Sequence, residues 1–342
     1  MKKLLNTLYV TSQDAYLGLE GECVTVKKDG GTAMRFPLHN LEAIVAFNYV
    51  GASPALMKKC GENNVSLSFF QGDHFCGRLE GQENGNVLLR KTQYRFSDAE
   101  CESLKVARNM LLGKVHNERY VLERALRDHA IRVDEDRLNH ASQLLQKSME
   151  YIRNCSGLDE LRGYEGEAAS VYFGVFNELI LQGKESFSFA GRNRRPPLDR
   201  VNALLSFAYA LLANECAGAA YSAGLDPYVG FLHRDRPGRK SCALDLMEEL
   251  RSPVAERFVL TLINKRQLNA EGFYKTESGA VILDDDTRKT VIQRWQDMKQ
   301  EVVQHPFLKE KLPVGLLPYA QAMLLARYLR GDLDAYPPFF KR

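Results

Sequence analysis

The chain has 342 residues, 45% of them hydrophobic and 26% charged, which allows two domains with buried cores and excludes a disordered or fibrous protein. Its formal net charge is only +3, so bulk charge does not announce nucleic-acid binding, and any such case must rest on local clusters. Seven dispersed cysteines (Cys23, Cys60, Cys76, Cys101, Cys155, Cys216 and Cys242) form no C-x-x-C pair, which argues against a disulfide framework or structural zinc and for reduced thiols. The N-terminal "MKKLLNTLYVTSQDAYLG" lacks the apolar core of a signal peptide, and no run of about 20 apolar residues suggests a membrane span. A cytoplasmic protein is expected.

The first ninety-odd residues read as strands. "TLYVTS", "ECVTVKK" and "TAMRFPL" are short, rich in β-branched or aromatic residues and separated by Gly, Asp and Asn. Ser53-Pro54 opens a short helix that Gly61 closes, and "VSLSFF" alternates as a half-buried strand does. Asn84-Gly85 between two strand-like runs predicts a hairpin. At Ser97 the texture changes: Ser97 and Glu100 form a capping-box pattern ahead of a long helical run. Helices are expected near 98–130, 134–154, 159–182, 198–222, 241–263, 286–303 and 315–330, with a hairpin over Phe273–Leu283 turning at Ser278-Gly279. The tail "YPPFFKR" cannot be helical around Pro337 and Pro338 and is expected as loop. The expected fold class is α+β: a small N-terminal β-rich domain (1–95) and a larger all-helical C-terminal domain (96–342).

Glu165 stands out in "LDELRGYEGEAASVYFGVFNELIL". Helical spacing aligns Leu161, Ala168, Ala169, Tyr172, Phe176 and Leu179 as an apolar stripe, with Glu165 at its centre and Glu167 on the opposite face. A carboxylate there either meets a buried cation or faces a cleft, because desolvating it alone costs several kcal/mol, of order 3 or more. In the helix after Ser241, a plausible N-cap, the core stripe is Ala243, Leu246, Met247, Leu250 and Val254. Asp245 and Glu248 point away from that stripe, the usual address of a solvated face, although residues three apart can share one ion. With the loop residue His233 they make an oxygen-rich mixed set that favours Mg²⁺ or Mn²⁺ over zinc. Two basic clusters flank them: Arg192, Arg194, Arg195 and Arg200 in "GRNRRPPLDR", and Arg234, Arg236, Arg239 and Lys240 after His233. Arginine forks match phosphate oxygens. The triplet Asp284–Asp286 is read as helix capping.

The ordered segments "GYEGEAASVYF", "GRNRRPPLDRVNALLSFAYALL", "YSAGLDPYVGFLH" and "CALDLMEEL", with the β-rich N-terminal part, resemble the CRISPR adaptation integrase, the catalytic subunit of the spacer-acquisition complex. The resemblance covers essentially the whole chain. It implies a homodimer that acts on double-stranded DNA beside a small ferredoxin-like subunit. It also implies a divalent metal held by Glu165, His233 and Glu248, with Asp245 as a further active-site acid. Arg192, Arg194, Arg195, Arg236, Arg239 and Lys240 are the expected DNA contacts. The expected reaction is metal-dependent transesterification, in which a captured 3′-hydroxyl attacks a phosphodiester at the repeat. The rival readings are a metal-dependent nuclease acting on branched DNA, a non-catalytic DNA-binding scaffold, and a tyrosine recombinase that would need no metal.

Overall fold

The computed structural model describes residues 7–342 except 11, 13, 29–30, 42, 48–50, 64, 72–73 and 80–86. Two compact units emerge, Met1–Gly85 with Arg288–Gln300, and Asn86–Thr287 with Glu301–Arg342.

The first unit is built on two four-stranded sheets. Strands β1 (Thr7–Val10), β2 (Tyr16–Glu20), β3 (Cys23–Lys28), β4 (Gly31–Pro37), β5 (Ala43–Phe47) and β6 (Gly51–Ala52) precede helix α1 (Pro54–Glu62), and β7 (Ser66–Gln71) and β8 (His74–Leu79) follow it. One sheet runs β1-β5-β7-β8, the other β4-β3-β2-β6. Leu17, Val24, Ile44, Leu56, Cys60 and Leu67 form its buried core. Helix α1 begins as Ser53-Pro54 predicts: Ser53 Oγ accepts the Leu56 N–H at 3.2 Å.

The second unit is mostly helical: α2 (Val87–Asp98), α3 (Glu100–His129), α4 (Glu135–Asn154), α5 (Leu158–Val175), α6 (Arg200–Ser222), α7 (Ser241–Glu248) and α8 (Arg257–Asn264). The hairpin β9 (Phe273–Lys275) and β10 (Val281–Leu283) turns at Gly279, whose φ of 84° favours glycine. Helix α9 (Asp285–Lys299) falls mostly in the first unit, and the pair β11 (Val302–Gln304) and β12 (Lys311–Pro313) and helix α10 (Leu317–Leu329) complete the second.

Several expectations need correction. The Asn84-Gly85 turn lies outside the described residues, but the run after it is helix α2 rather than a strand. Leu89 and Gln93 are buried four residues apart, a helical period. The Ser97–Glu100 capping box does not form: Ser97 lies inside α2 and donates to the Gly230 carbonyl at 2.6 Å, and Ala99 precedes α3 without a side-chain cap. The helix expected over 241–263 is interrupted by a π-helical turn, Arg251–Glu256, around Pro253, which cannot donate into a regular ladder. The run expected as helix to 303 ends at Lys299, where Val302 and Val303 pair with β12 instead. Helix α6 is long and apolar enough to cross a membrane, against the sequence expectation. Its buried residues include Val201, Asn202, Ala203, Leu204 and Ala217, which face all sides of the helix, as in the central helix of a packed core. The tail is packed, with Tyr336 and Phe339 buried.

Candidate functional site

Asp245 and Glu248 are not on a solvated face; they are 0% and 2% exposed. Helix α7 is enclosed on both sides. Its core stripe packs inward while the loop before it folds over the acidic face. Ser241 is the first residue of α7 rather than its cap, and its hydroxyl donates to the Arg234 carbonyl at 3.3 Å. That loop is pinned by α2, where Gln93 donates to the Asp226 and Val229 carbonyls, both at 2.8 Å, and accepts the Asp226 N–H. Gly230 is required there, since a Cβ would stand 2.7 Å from the Ser241 Cβ and 2.8 Å from an Asp245 oxygen.

Asp245 organises the loop. Its carboxylate accepts the backbone N–H of Phe231 at 2.6 Å and those of Leu232 and His233 at 3.0 Å each. His233 Nδ1 lies 2.6 Å from its Oδ1. With Nδ1–H donated there, the His233 Nε2 lone pair points away from Asp245, toward Glu248 Oε1 at 3.7 Å. Asp245 therefore positions the imidazole, and its oxygens are already engaged by four donors.

Glu165 comes from α5 and Glu248 from α7, and both meet Lys114 of α3. The Lys114 ammonium pairs with Glu165 and lies 2.9 Å from Glu248 Oε2. Arg251 reaches Glu248 Oε1 at 2.8 Å and stacks over the Tyr209 ring at 4.9 Å. Burial pushes the Glu248 carboxyl up, but Arg251, Lys114 and His233 outweigh it and hold it down at about 2. Burial alone would lower the Lys114 ammonium, and Glu248, Glu165 and Glu118 raise it above its ordinary value. Glu118, just beyond, is pushed up to about 8 by burial despite Lys114.

These groups open onto a 390 Å³ pocket lined by Glu165, His233, Glu248, Leu232 and six arginines. Arg194, Arg236 and Arg239 are among them, joined by Arg162, Arg234 and Arg251. Arg192, Arg195 and Lys240 are not in the lining. Arg192 donates to Asn202 Oδ1 at 2.7 Å and Ser206 Oγ at 3.3 Å and lies over the Tyr209 ring, which is a structural arrangement. Arg195 is exposed, next to the cis peptide before Pro196. Lys114, Arg162 and Arg251 are functional candidates that the sequence reading missed. Lys114 carried the same signal as Glu165, a charge between Leu111, Val115 and Glu118 on the inward face of a helix.

Among the described residues, no three His, Cys, Asp or Glu side chains already stand close enough to hold a metal ion. The donor chemistry nevertheless fits a hard divalent cation. Two carboxylates face an imidazole whose far nitrogen is anchored by a carboxylate, the usual support of a metal-ligating histidine. A cation, the Lys114 ammonium, bridges the two carboxylates.

The family model described as "CRISPR associated protein Cas1" matches residues 8–297. The chain belongs to the Cas1 family. It is 48% identical over 343 residues to a CRISPR-associated endonuclease Cas1 of Chlorobaculum tepidum, covering 100% of both chains. It is 49% identical over 351 residues to one from Rhodospirillum rubrum, covering 99% of each. Among solved structures, a casposase bound to integration product superposes with a TM-score of 0.84 at 20% identity, over 98% of this chain and 94% of that one. A Cas1 protein from Thermotoga maritima superposes at 0.82 with 22% identity, over 98% and 100%. At these identities the superpositions establish the shared Cas1 fold.

Behind this candidate site of the Cas1 chain, Glu249 ties the C-terminal tail to α7. It accepts from the Tyr336 hydroxyl, from Gln321 Nε2 at 3.0 Å and from the Phe339 N–H at 2.6 Å. Burial pushes its carboxyl up to about 7 against those donors. The folded protein then holds a proton on Glu249 between about pH 4.3 and 7 that the unfolded chain releases, so this group's contribution to stability falls as pH rises through that window. Half-buried His116 and buried His305, both lowered, act with the opposite sign. The expected result is therefore a difference: in urea unfolding, the advantage of wild type over Glu249→Gln shrinks from pH 5 to pH 8. An advantage that grows over this range would contradict the buried, proton-retaining carboxyl.

Proposed function

We propose that this Cas1 chain is a divalent-metal-dependent DNA integrase, joining the 3′-hydroxyl end of captured DNA to a repeat by phosphodiester transesterification. The observation that carries the reading is the anchored His233 imidazole, presented beside Glu248 and Glu165 at the floor of an arginine-lined pocket. The relatives' printed descriptions as endonucleases, and that of the casposase with an integration product, support the same class.

In this reading, Glu165, His233 and Glu248 hold Mg²⁺ or Mn²⁺, which when bound neutralises charge on the phosphate and lowers the pKa of the attacking hydroxyl. Arg194, Arg234, Arg236 and Arg239 bind and orient the phosphates on either side of the reacting bond. Asp245 keeps His233 in the tautomer whose Nε2 faces the pocket. Arg251 fixes the Glu248 carboxylate from the side opposite Lys114. Such contacts read backbone, so base sequence is selected elsewhere. The chain is further proposed to act in the cytoplasm as a homodimer with a small ferredoxin-like subunit. A solved Cas6-RT-Cas1–Cas2 complex contains a chain that this one matches with a TM-score of 0.82, over 36% of that chain.

The test is incubation of a 3′-hydroxyl duplex with supercoiled repeat-bearing plasmid and Mn²⁺, with and without EDTA. The expected product is oligonucleotide covalently joined to plasmid, absent in EDTA. Cutting without joining, also in the presence of the small subunit, would replace the integrase with a nuclease. Joining that persists in EDTA through a protein–DNA adduct would point to a tyrosine recombinase.

A further inference from the structure

A second basic pocket lies on the other side of α3. Its volume is 430 Å³ and its walls come from α3, α4 and the C-terminal tail. At about 100° per residue, His116, Arg119 and Glu123 fall roughly 140° or more around α3 from Lys114. Lys114, which pairs with Glu165 and Glu248 of the first pocket, therefore lies on a different face of α3 from the residues that line the second. Both belong to the helical unit.

The charge in this pocket is poorly compensated. Its lining includes the side chains of Arg119, Arg153, Lys341 and Arg342 against one acidic side chain, Glu123, which is already engaged by Arg119 at 2.6 Å. Beside it, half-buried Arg257 has its guanidinium lowered by burial and then by Arg124. The Lys341 ammonium is lowered by burial, then by Arg257 and Arg124, with Glu301 acting the other way. Arg124 is itself paired with Asp128 at 3.1 Å. Cations that burial and one another disfavour are relieved by an anion placed among them.

The pocket is also held in shape. Asn117 donates to the Phe339 carbonyl at 2.7 Å and accepts the Lys341 N–H at 2.7 Å. His116 Nε2 stands 3.1 Å from the Lys341 carbonyl, and its ring packs edge-on against Phe340 with centroids 4.8 Å apart. Lys341 is thus presented by a tail whose backbone is bonded to α3, so its backbone is fixed before any ligand arrives.

We infer that this pocket is a second phosphate-binding site, distinct from the catalytic one, that takes the backbone of duplex DNA away from the reacting end. The identification of the ligand as DNA rests on the integrase reading above; the pocket's preference for a phosphate does not. Four guanidinium or ammonium groups around a cleft of this size suit a phosphodiester with its flanking sugars, and the lining offers no acidic side chain left over to read a base donor.

The test uses the full chain and the double variant Arg153→Gln/Lys341→Gln, followed by duplex binding as a function of salt and by calorimetry with inorganic tripolyphosphate. Removing two phosphate contacts should reduce the slope of log affinity against log salt by about 1.8. Tripolyphosphate binding should weaken in parallel, while joining of a short 3′-hydroxyl end at saturating DNA stays unchanged. If tripolyphosphate binding is lost and the salt slope is not, the site serves a free anion and the DNA assignment falls. If neither changes, the pocket is not a phosphate site. Arg153 is exposed, so Arg153→Gln alone keeps the test valid should the double variant fold poorly, with an expected slope change of about 0.9. Wild-type protein that binds no duplex at all would count against the integrase reading, and the tripolyphosphate comparison would still judge the pocket.

Discussion

Glu165→Gln is expected to lower DNA joining by at least about 10²–10³-fold, because it removes a charged group from the point where transition-state charge is stabilised. The fold should survive. Glu165 is 31% exposed in its side chain, and Lys114 keeps Glu248 at 2.9 Å when Glu165 is neutralised. A partly exposed pair of this kind is worth about 1 kcal/mol or less. The informative pairing is activity with thermal unfolding. Lost joining and an almost unchanged melt support a site role, whereas joining within a few-fold of wild type would remove Glu165 from the site.

Lys114→Met should do the reverse. The Lys114 and Glu248 side chains are 5% and 3% exposed, and removing the ammonium leaves Glu248 charged in a poorly solvated region, with Arg251 at 2.8 Å as its remaining close cation. Breaking a buried pair in this way costs about 3–5 kcal/mol. For a helical unit of this size that is a fall of roughly 10 °C in melting temperature. Because Glu165 and Glu248 would then lack the ammonium that bridges them, Mg²⁺ or Mn²⁺ should raise the melting temperature of Lys114→Met more than that of wild type. Equal shifts in the two proteins would show that the ion does not bind between these carboxylates.

The division into a strand-rich start and a helical remainder was legible because periods of 2 and 3.6 differ even in a single sequence. Glu165 was legible for a related reason: a lone carboxylate breaks an apolar stripe. Asp245 and Glu248 were not, since periodicity describes one helix and cannot know that a loop carrying Phe231, Leu232 and His233 will cover its polar face. The break at Pro253 and the strand at Val302 were obscured by flanking residues that form good helices. The difference between Arg192 and its neighbours was equally invisible. Only the fold turns one arginine onto Asn202 and Tyr209 while Arg194 reaches the pocket.

The central claim is that His233 ligates a metal together with Glu165 and Glu248. The most direct measurement is pulsed electron paramagnetic resonance of the protein with Mn²⁺, which detects nitrogen coordinated to the ion. The account predicts coupling to one imidazole nitrogen, lost in His233→Ala and retained in His116→Ala. A spectrum without nitrogen coupling, or one unchanged in His233→Ala, would contradict it.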